Sequence, residues 1–363
     1  MNKINKIEVL WDGRAVGTLA LTPNGLCAFE YTPEFIAGGV SVSPFKLPLK
    51  NGVTVANPRP FDGGFGVFDD CLPDGWGMLI LDRFLRKKGI SPRSLTILDR
   101  LAVVGSSGRG ALEFRPDLSN GKPLDFADFE MLSDEAQKIL ESDGYTGAGI
   151  EEFMFRGGSP GGARPKIFTK YDGREWLVKF RAKGDSENIG RMEYEYSLLA
   201  KKCGVEMPET RLFENKFFGT ERFDRTDGGK LHVVSMAGLL DADYRSPSID
   251  YLHIFQVGAA LTHNIRELWK IFRLMVFNIL IGNKDDHAKN FAFLYRGGSW
   301  HFAPAFDILP GEGMNGYHTT SVNDSITPTK KDLLETAKKS SLDIREAERI
   351  FDEIYSEIKA AGL

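Results

Sequence analysis

Between Arg266 and Ile281 the chain carries a strongly apolar run, followed at once by Gly282-Asn283-Lys284-Asp285-Asp286-His287-Ala288-Lys289-Asn290. So apolar a run predicts a helix buried on most sides. After the polar loop the pattern predicts a hairpin, Phe291 to Tyr295 and Trp300 to Pro304, turning at Gly297-Gly298. A charged loop set between a buried helix and a hairpin is held at both ends, and such loops are where rigid scaffolds place chemistry.

Around this segment the C-terminal part reads as helical. Ile249 to Leu261 is one predicted helix, and two amphipathic ones close the chain over residues 330–339 and 344–361. The part before it reads as strands with few helices. Asp12-Gly13 and Asn24-Gly25 are hairpin dipeptides between short strands from Lys6 to Tyr31, because they tolerate positive φ. Helices are predicted at 75–88, with Asp74 as N-cap and Gly89 as stop, and at 92–102. A strand about Leu112 to Phe114 ends this first unit. Next come a helix at 126–141, the glycine-dense stretch Gly157 to Gly162, strands at 165–171 and 175–180, a helix at 187–203 and further strands to Ser235. The expected fold class is α+β in two lobes, a mixed, β-rich N-terminal lobe and an all-α C-terminal lobe, with an extra N-terminal α/β subdomain. The expected domains are 1–120, 121–245 and 246–363.

Composition enters mainly as an exclusion. A net charge of -4 argues against nucleic-acid binding over the whole surface. The cysteines Cys27, Cys71 and Cys203 have neither the number nor the spacing of a disulfide framework or a zinc site. The N-terminus lacks a signal-peptide core, and the apolar run near Phe272 to Ile281 is too short to span a bilayer. A cytoplasmic protein without membrane contact is expected.

The loop at 282–290 has the residue types that phosphoryl transfer needs: a carboxylate to orient the attacking hydroxyl, oxygen ligands for Mg²⁺, and cations for the phosphates. Asp285 and Asn290 stand five positions apart, as do the base and the metal-binding asparagine of a kinase catalytic loop. Asp286 is one short of that spacing and is read as a flanking charge. Asp307, in Ala305-Phe306-Asp307-Ile308-Leu309, follows the hairpin where a second metal ligand is expected, although no glycine comes after it. Oxygen donors such as Asn290 and Asp307 suit Mg²⁺. Upstream, Gly157-Gly158-Ser159-Pro160-Gly161-Gly162-Ala163-Arg164-Pro165-Lys166 offers amides with little steric cover. Lys179 stands inside an apolar strand, where an ammonium needs a partner, and the next helix offers Glu193 and Glu195. Each signal has an ordinary alternative: a solvated acidic turn, a flexible linker, an edge-strand lysine, a surface Lys289, a structural His287. Their order along the chain is what points to an ATP-dependent kinase.

At these residues the chain resembles the HipA family, the serine/threonine kinase toxins of bacterial HipBA toxin–antitoxin systems. The resemblance is carried by Gly161 to Lys166, Met192-Glu193-Tyr194, Glu221-Arg222-Phe223-Asp224-Arg225, Gly282 to Phe291 and Phe306-Asp307-Ile308. In the leading unit it is carried by Phe68-Asp69-Asp70-Cys71-Leu72-Pro73-Asp74-Gly75-Trp76-Gly77. The resemblance implies a protein-kinase-like fold and these roles. Gly161, Gly162, Ala163, Arg164, Pro165 and Lys166 would form the phosphate loop, and Lys179 would contact ATP and pair with Glu193. Met236, Ala237, Gly238 and Leu239 would read the adenine edge. Asp285 would be the catalytic base, with His287, Lys289 and Asn290 around the phosphates, and Asp307 would hold Mg²⁺. Ser159 would be an autophosphorylation site that shuts off nucleotide binding. The implied partners are a protein substrate and a DNA-binding, HipB-like antitoxin through which any operator contact would run.

The chain departs from the family in four places. Asp286 stands where a small residue is expected, Pro160 stiffens the loop, Pro165 removes an amide donor, and the helical lobe ends early. Two further readings are a lipid or small-molecule kinase, which would use the same parts on another hydroxyl, and a pseudokinase serving as a binding scaffold.

Overall fold

The computed structural model describes residues 3–119, 125–157, 161–313 and 315–362. The chain is mixed α+β and divides into two compact units, Met1–Arg191 with Arg211–His232 and Met192–Thr210 with Val233–Leu363.

The first unit opens with β1 (Lys6–Trp11), β2 (Arg14–Leu21) and β3 (Cys27–Tyr31), followed by α1 (Pro33–Ala37), β4 (Thr54–Val55), α2 (Gly66–Asp69) and α3 (Gly75–Lys87). A 3₁₀ turn at Pro92–Ser94, α4 (Ile97–Val104) and β5 (Leu112–Arg115) complete this part. The sheet order is β4-β3-β2-β1-β5, with antiparallel pairing throughout. Its first hairpin turns at Asp12 and Gly13, both at positive φ, as their residue types predict. The helix expected at 92–102 is instead the 3₁₀ turn and a separate α4. Thr96 and Asp99 form a capping box that starts α4 afresh.

α5 (Phe129–Glu141), α6 (Gly149–Gly157), β6 (Lys166–Tyr171), β7 (Arg174–Lys179), α7 (Ile189–Lys202), β8 (Thr210–Phe213) and β9 (Phe217–Glu221) follow, with the short ribbon β10 (Arg225–Thr226) and β11 (Gly229–Lys230). The second sheet runs β6-β7-β9-β8. Trp76, Phe129, Phe153, Phe180, Phe213 and Phe217 share one core, which joins α3, α5 and α6 to this sheet. Arg222 and Arg225 also tie the sheet to the leading segment, donating to the carbonyl of Gly108, while the buried Asp224 accepts from the amide of Gly110. Burial alone would raise the Asp224 carboxyl, but the two guanidiniums hold it well below the usual carboxylate range.

The second unit takes α7 from Met192 onward and contains β12 (His232–Ser235), α8 (Met236–Leu240), α9 (Tyr251–Thr262), α10 (Ile265–Ile281), β13 (Ala292–Arg296), β14 (Ser299–Phe302), α11 (Lys330–Lys339) and α12 (Ile344–Ala360). β12, β13 and β14 make a three-stranded sheet. α10 packs against α9, α11 and α12 and buries Leu268, Phe272, Met275 and Phe277, as its apolar composition requires. Gly282 caps it at φ +70, a left-handed position that releases the chain into the loop. Among the described residues no helix is long and apolar enough to cross a membrane.

Candidate active site

The loop after α10 is built from the inside outward. Asn283 bridges to Gly311 in parallel fashion, which brings the segment after Asp307 alongside the loop. Of the two adjacent aspartates, Asp285 is exposed while Asp286 has 0% exposure. Of the two, only Asp285 is open to solvent. Asn290 donates through Nδ2 to the carbonyl of Asp285 at 2.8 Å, so the five-residue spacing closes a tight loop.

Asp286 is an anchor, and the expectation of a flanking charge is wrong. Its Oδ1 accepts from the amides of Thr319 and Thr320, at 3.0 and 3.2 Å. Its Oδ2 accepts from His318 Nδ1 at 3.1 Å and from the Tyr251 hydroxyl at 3.4 Å. Four donors match the acceptor capacity of one carboxylate. Burial pushes this carboxyl above its usual range, against the opposing pull of His318 and the two amides. These partners lie 32 to 35 residues away in sequence, and local pattern gives no hint of them.

His287 accepts from the amide of Lys289 through Nδ1 and caps a 3₁₀ turn, Ala288–Asn290. The Lys289 ammonium lies 4.0 Å from the ring centroid of Tyr244. Asp307 is half-buried at φ +54, and its carbonyl accepts from Asn283 Nδ2 at 3.3 Å. An aspartate tolerates this left-handed backbone, so a following glycine is not needed to turn the chain. Met236 to Leu239 form the first part of the buried helix α8, where Met236 N–H donates to the carbonyl of Phe291.

Within the first unit, Lys166 and Lys179 are direct cross-strand partners at the end of the second sheet. They are 3% and 8% exposed. Lys166 donates to the carbonyl of Gly161, and the Lys179 ammonium lies 5.5 Å from the Phe218 ring. Arg164 is held in a two-pronged pair with Asp185, at 2.9 and 3.2 Å. The start of α3 grips the loop: Gly162 N–H donates to Asp74 Oδ1, and Trp76 N–H donates to Gly162 O at 3.1 Å. Asp74 occupies the N-cap position but makes no cap bond to its own helix. The Pro73-Asp74-Gly75 run was a visible signal, but nothing in it names a target 88 residues away. Ser159 lies outside the described residues. Glu193, which belongs to the second unit, is buried on α7.

For magnesium, the donor set to be judged is Asn290 with Asp307. Both are hard oxygen donors, and the described residues contain no cluster of three or more His, Cys, Asp or Glu placed to hold a metal. A pair of oxygen ligands completed by substrate phosphates fits Mg²⁺, which keeps few protein ligands, and does not fit a zinc cage.

The chain matches the HipA-like C-terminal domain over residues 158–362 and the HipA N-terminal domain over residues 7–115. It is 24% identical over 370 residues to "Putative kinase Y4dM" of Sinorhizobium fredii, covering 94% of this chain and 87% of that protein. It is 25% identical over 353 residues to "Putative kinase Y4mE" of the same organism, covering 84% and 77%. Among solved structures, HipA of Shewanella oneidensis MR-1, determined with HipB and operator DNA, superposes with a TM-score of 0.73 at 18% identity. That match covers 98% of this chain and 89% of the other, and it establishes the shared fold.

Proposed function

The chain belongs to the HipA family, and from that premise we propose that it is an ATP- and Mg²⁺-dependent serine/threonine protein kinase and the toxin of a toxin–antitoxin module. The observation that carries the reading is the division of labour at 285–286: one aspartate exposed at the tip of a closed loop, its neighbour buried as the anchor.

In this reading Asp285 accepts the proton of the attacking seryl or threonyl hydroxyl. Asn290 and Asp307 hold magnesium, which when bound neutralises charge developing on the phosphates. Lys179, Lys166 and the amides of Gly161 to Ala163 bind the phosphate oxygens. His287 keeps the loop turned. Ser159 is the proposed autophosphorylation site, and a DNA-binding antitoxin is the proposed partner. The latter is supported by the S. oneidensis HipA, whose structure is a complex with HipB and operator DNA. A cytoplasmic location accords with this role.

The test is transfer of γ-phosphate from Mg-ATP to casein and to the chain itself. Asp285→Asn and Asp307→Asn are each expected to lose roughly 10²-fold or more in kcat, with circular dichroism unchanged. Full activity in either folded variant would end the assignment. Label on lipid acceptors alone would move the reading to a lipid kinase, and no ATP turnover in the wild type would move it to a binding scaffold.

A further inference from the structure

Five buried polar side chains run through the core of the second unit where α9 and α10 meet the candidate loop. His318 Nδ1 donates to Asp286 Oδ2 at 3.1 Å, and the Tyr251 hydroxyl donates to the same oxygen at 3.4 Å. Asn278 Nδ2 donates to the Tyr251 hydroxyl at 3.1 Å. Asn283 Nδ2 donates to Asn278 Oδ1 at 3.1 Å and to the carbonyl of Asp307 at 3.3 Å. Along these links donor and acceptor alternate without conflict, and the one remaining acceptor, Asn283 Oδ1, is buried without a hydrogen-bond partner. None of the five side chains is more than 6% exposed.

The course of this chain matters more than its length. Asn283 and Asp286 bracket Asp285 in the sequence, and the far end closes on the backbone of Asp307. We infer that His318, Asp286, Tyr251, Asn278 and Asn283 are positioning residues that set the spacing between the proton acceptor Asp285 and the metal ligand Asp307. The inference rests on the kinase reading and deepens it.

Two physical arguments support it. Stability alone does not call for such a chain, because buried polar networks are often matched or bettered by apolar packing of the same volume. The neighbouring positions Phe272, Met275 and Phe277 show that α10 has apolar packing at hand. A hydrogen-bond chain does what apolar packing cannot: it fixes direction and distance. Displacing a reacting group by about 1 Å can cost roughly 10²-fold in rate, so a link from one reacting carboxylate to the backbone of the other has a kinetic consequence. Asp307 is also held at φ +54, a conformation that needs support from its surroundings.

The experiment compares the wild-type chain with Tyr251→Phe, which removes one hydroxyl from the middle of the chain. The ring and its packing on Phe291, 5.2 Å between centroids, stay in place. Phosphate transfer to casein is followed against ATP and, separately, against Mg²⁺. The expected result is a fall in kcat of roughly ten-fold, KM for ATP within about two-fold, and a Mg²⁺ half-saturation raised several-fold. Asn283→Ala, next to Asp307, should shift the Mg²⁺ requirement further. A residue that only stabilised the core would lower the melting temperature and leave the Mg²⁺ dependence of the folded fraction unchanged. Should Tyr251→Phe not fold, the same quantities are read from His318. His318→Leu is expected to lose rate, and His318→Asn, whose amide nitrogen takes the place of Nδ1, to recover it. Wild-type kcat and Mg²⁺ dependence in both Tyr251→Phe and Asn283→Ala would overturn the inference while leaving the kinase reading intact. A wild-type chain that transfers no phosphate would remove both, so the two failures are told apart.

Discussion

At the scale of single residues, Asp285 and Asp286 show how far sequence reasoning reaches. The closed turn from Asp285 to Asn290 is legible in their spacing, because a five-residue loop geometry is local. The role of Asp286 was not legible, since its four donors come from Tyr251 and residues 318–320, and burial is a tertiary property. His232 is a similar case and gives a pH prediction. Its Nε2 donates to the carbonyl of Val42 at 2.8 Å, and its ring lies 4.6 Å from that of Trp11. Burial pulls its pKa down from 6.5 to about 4. At pH 7 neither the folded nor the unfolded chain protonates this ring. As pH falls through 6.5 the unfolded chain takes up a proton that the folded one refuses, and stability drops until pH approaches 4. The loss amounts to about 3 kcal/mol over that window, at about 1.4 kcal/mol per unit. Urea unfolding at pH 7 and pH 4.5 measures it. His232→Asn should flatten the dependence, and an unchanged slope in that variant would assign the acid sensitivity elsewhere.

At the scale of elements, the contact between α3 and the glycine loop carries a steric prediction. Gly75 sits at φ +40, and a Cβ there would come within 2.5 Å of the Gly162 carbonyl oxygen. Gly75→Ala therefore has to push the backbone of the loop away from the helix. The variant is expected to lose about 1–3 kcal/mol of stability from the clash and backbone strain. Its KM for ATP should rise several-fold. Gly13→Ala is the control, because that glycine is also at positive φ but a Cβ would meet nothing within 4 Å. It should lose stability and keep its KM; equal KM values in the two variants would show that the docking does not shape the nucleotide site. Other elements mark the limits of pattern reading. The turns at Asp12-Gly13 and Asp172-Gly173 were legible because positive φ selects residue type. α6 was missed because its core contacts, Ile150 and Phe153, sit in a short segment with a glycine at each end. The division of 92–102 was written in Thr96 and Asp99, a capping pair hidden inside an apolar period.

At the scale of the whole molecule, neither compact unit is one continuous stretch, because Met192–Thr210 joins the second unit while the segments on either side of it belong to the first. Ligand linkage is therefore best read on the intact chain. A ligand that binds only the folded state stabilises it by about 2.7 kcal/mol at one hundred times its Kd. Mg-ATP is accordingly expected to raise the melting temperature by a few degrees, and ATP with EDTA by less, since in the proposed site magnesium would add ligand bonds from Asn290 and Asp307. Asp307→Asn should abolish the difference between the two conditions, because a neutral amide binds Mg²⁺ weakly, yet should keep the metal-independent part. Lys179→Ala should diminish both shifts, because an ammonium on the phosphates acts with or without metal. Scanning calorimetry of the three chains under the two conditions separates these contributions. Equal shifts in all three would mean that the nucleotide stabilises the protein without engaging either residue, and the roles given to Asp307 and Lys179 would have to be abandoned.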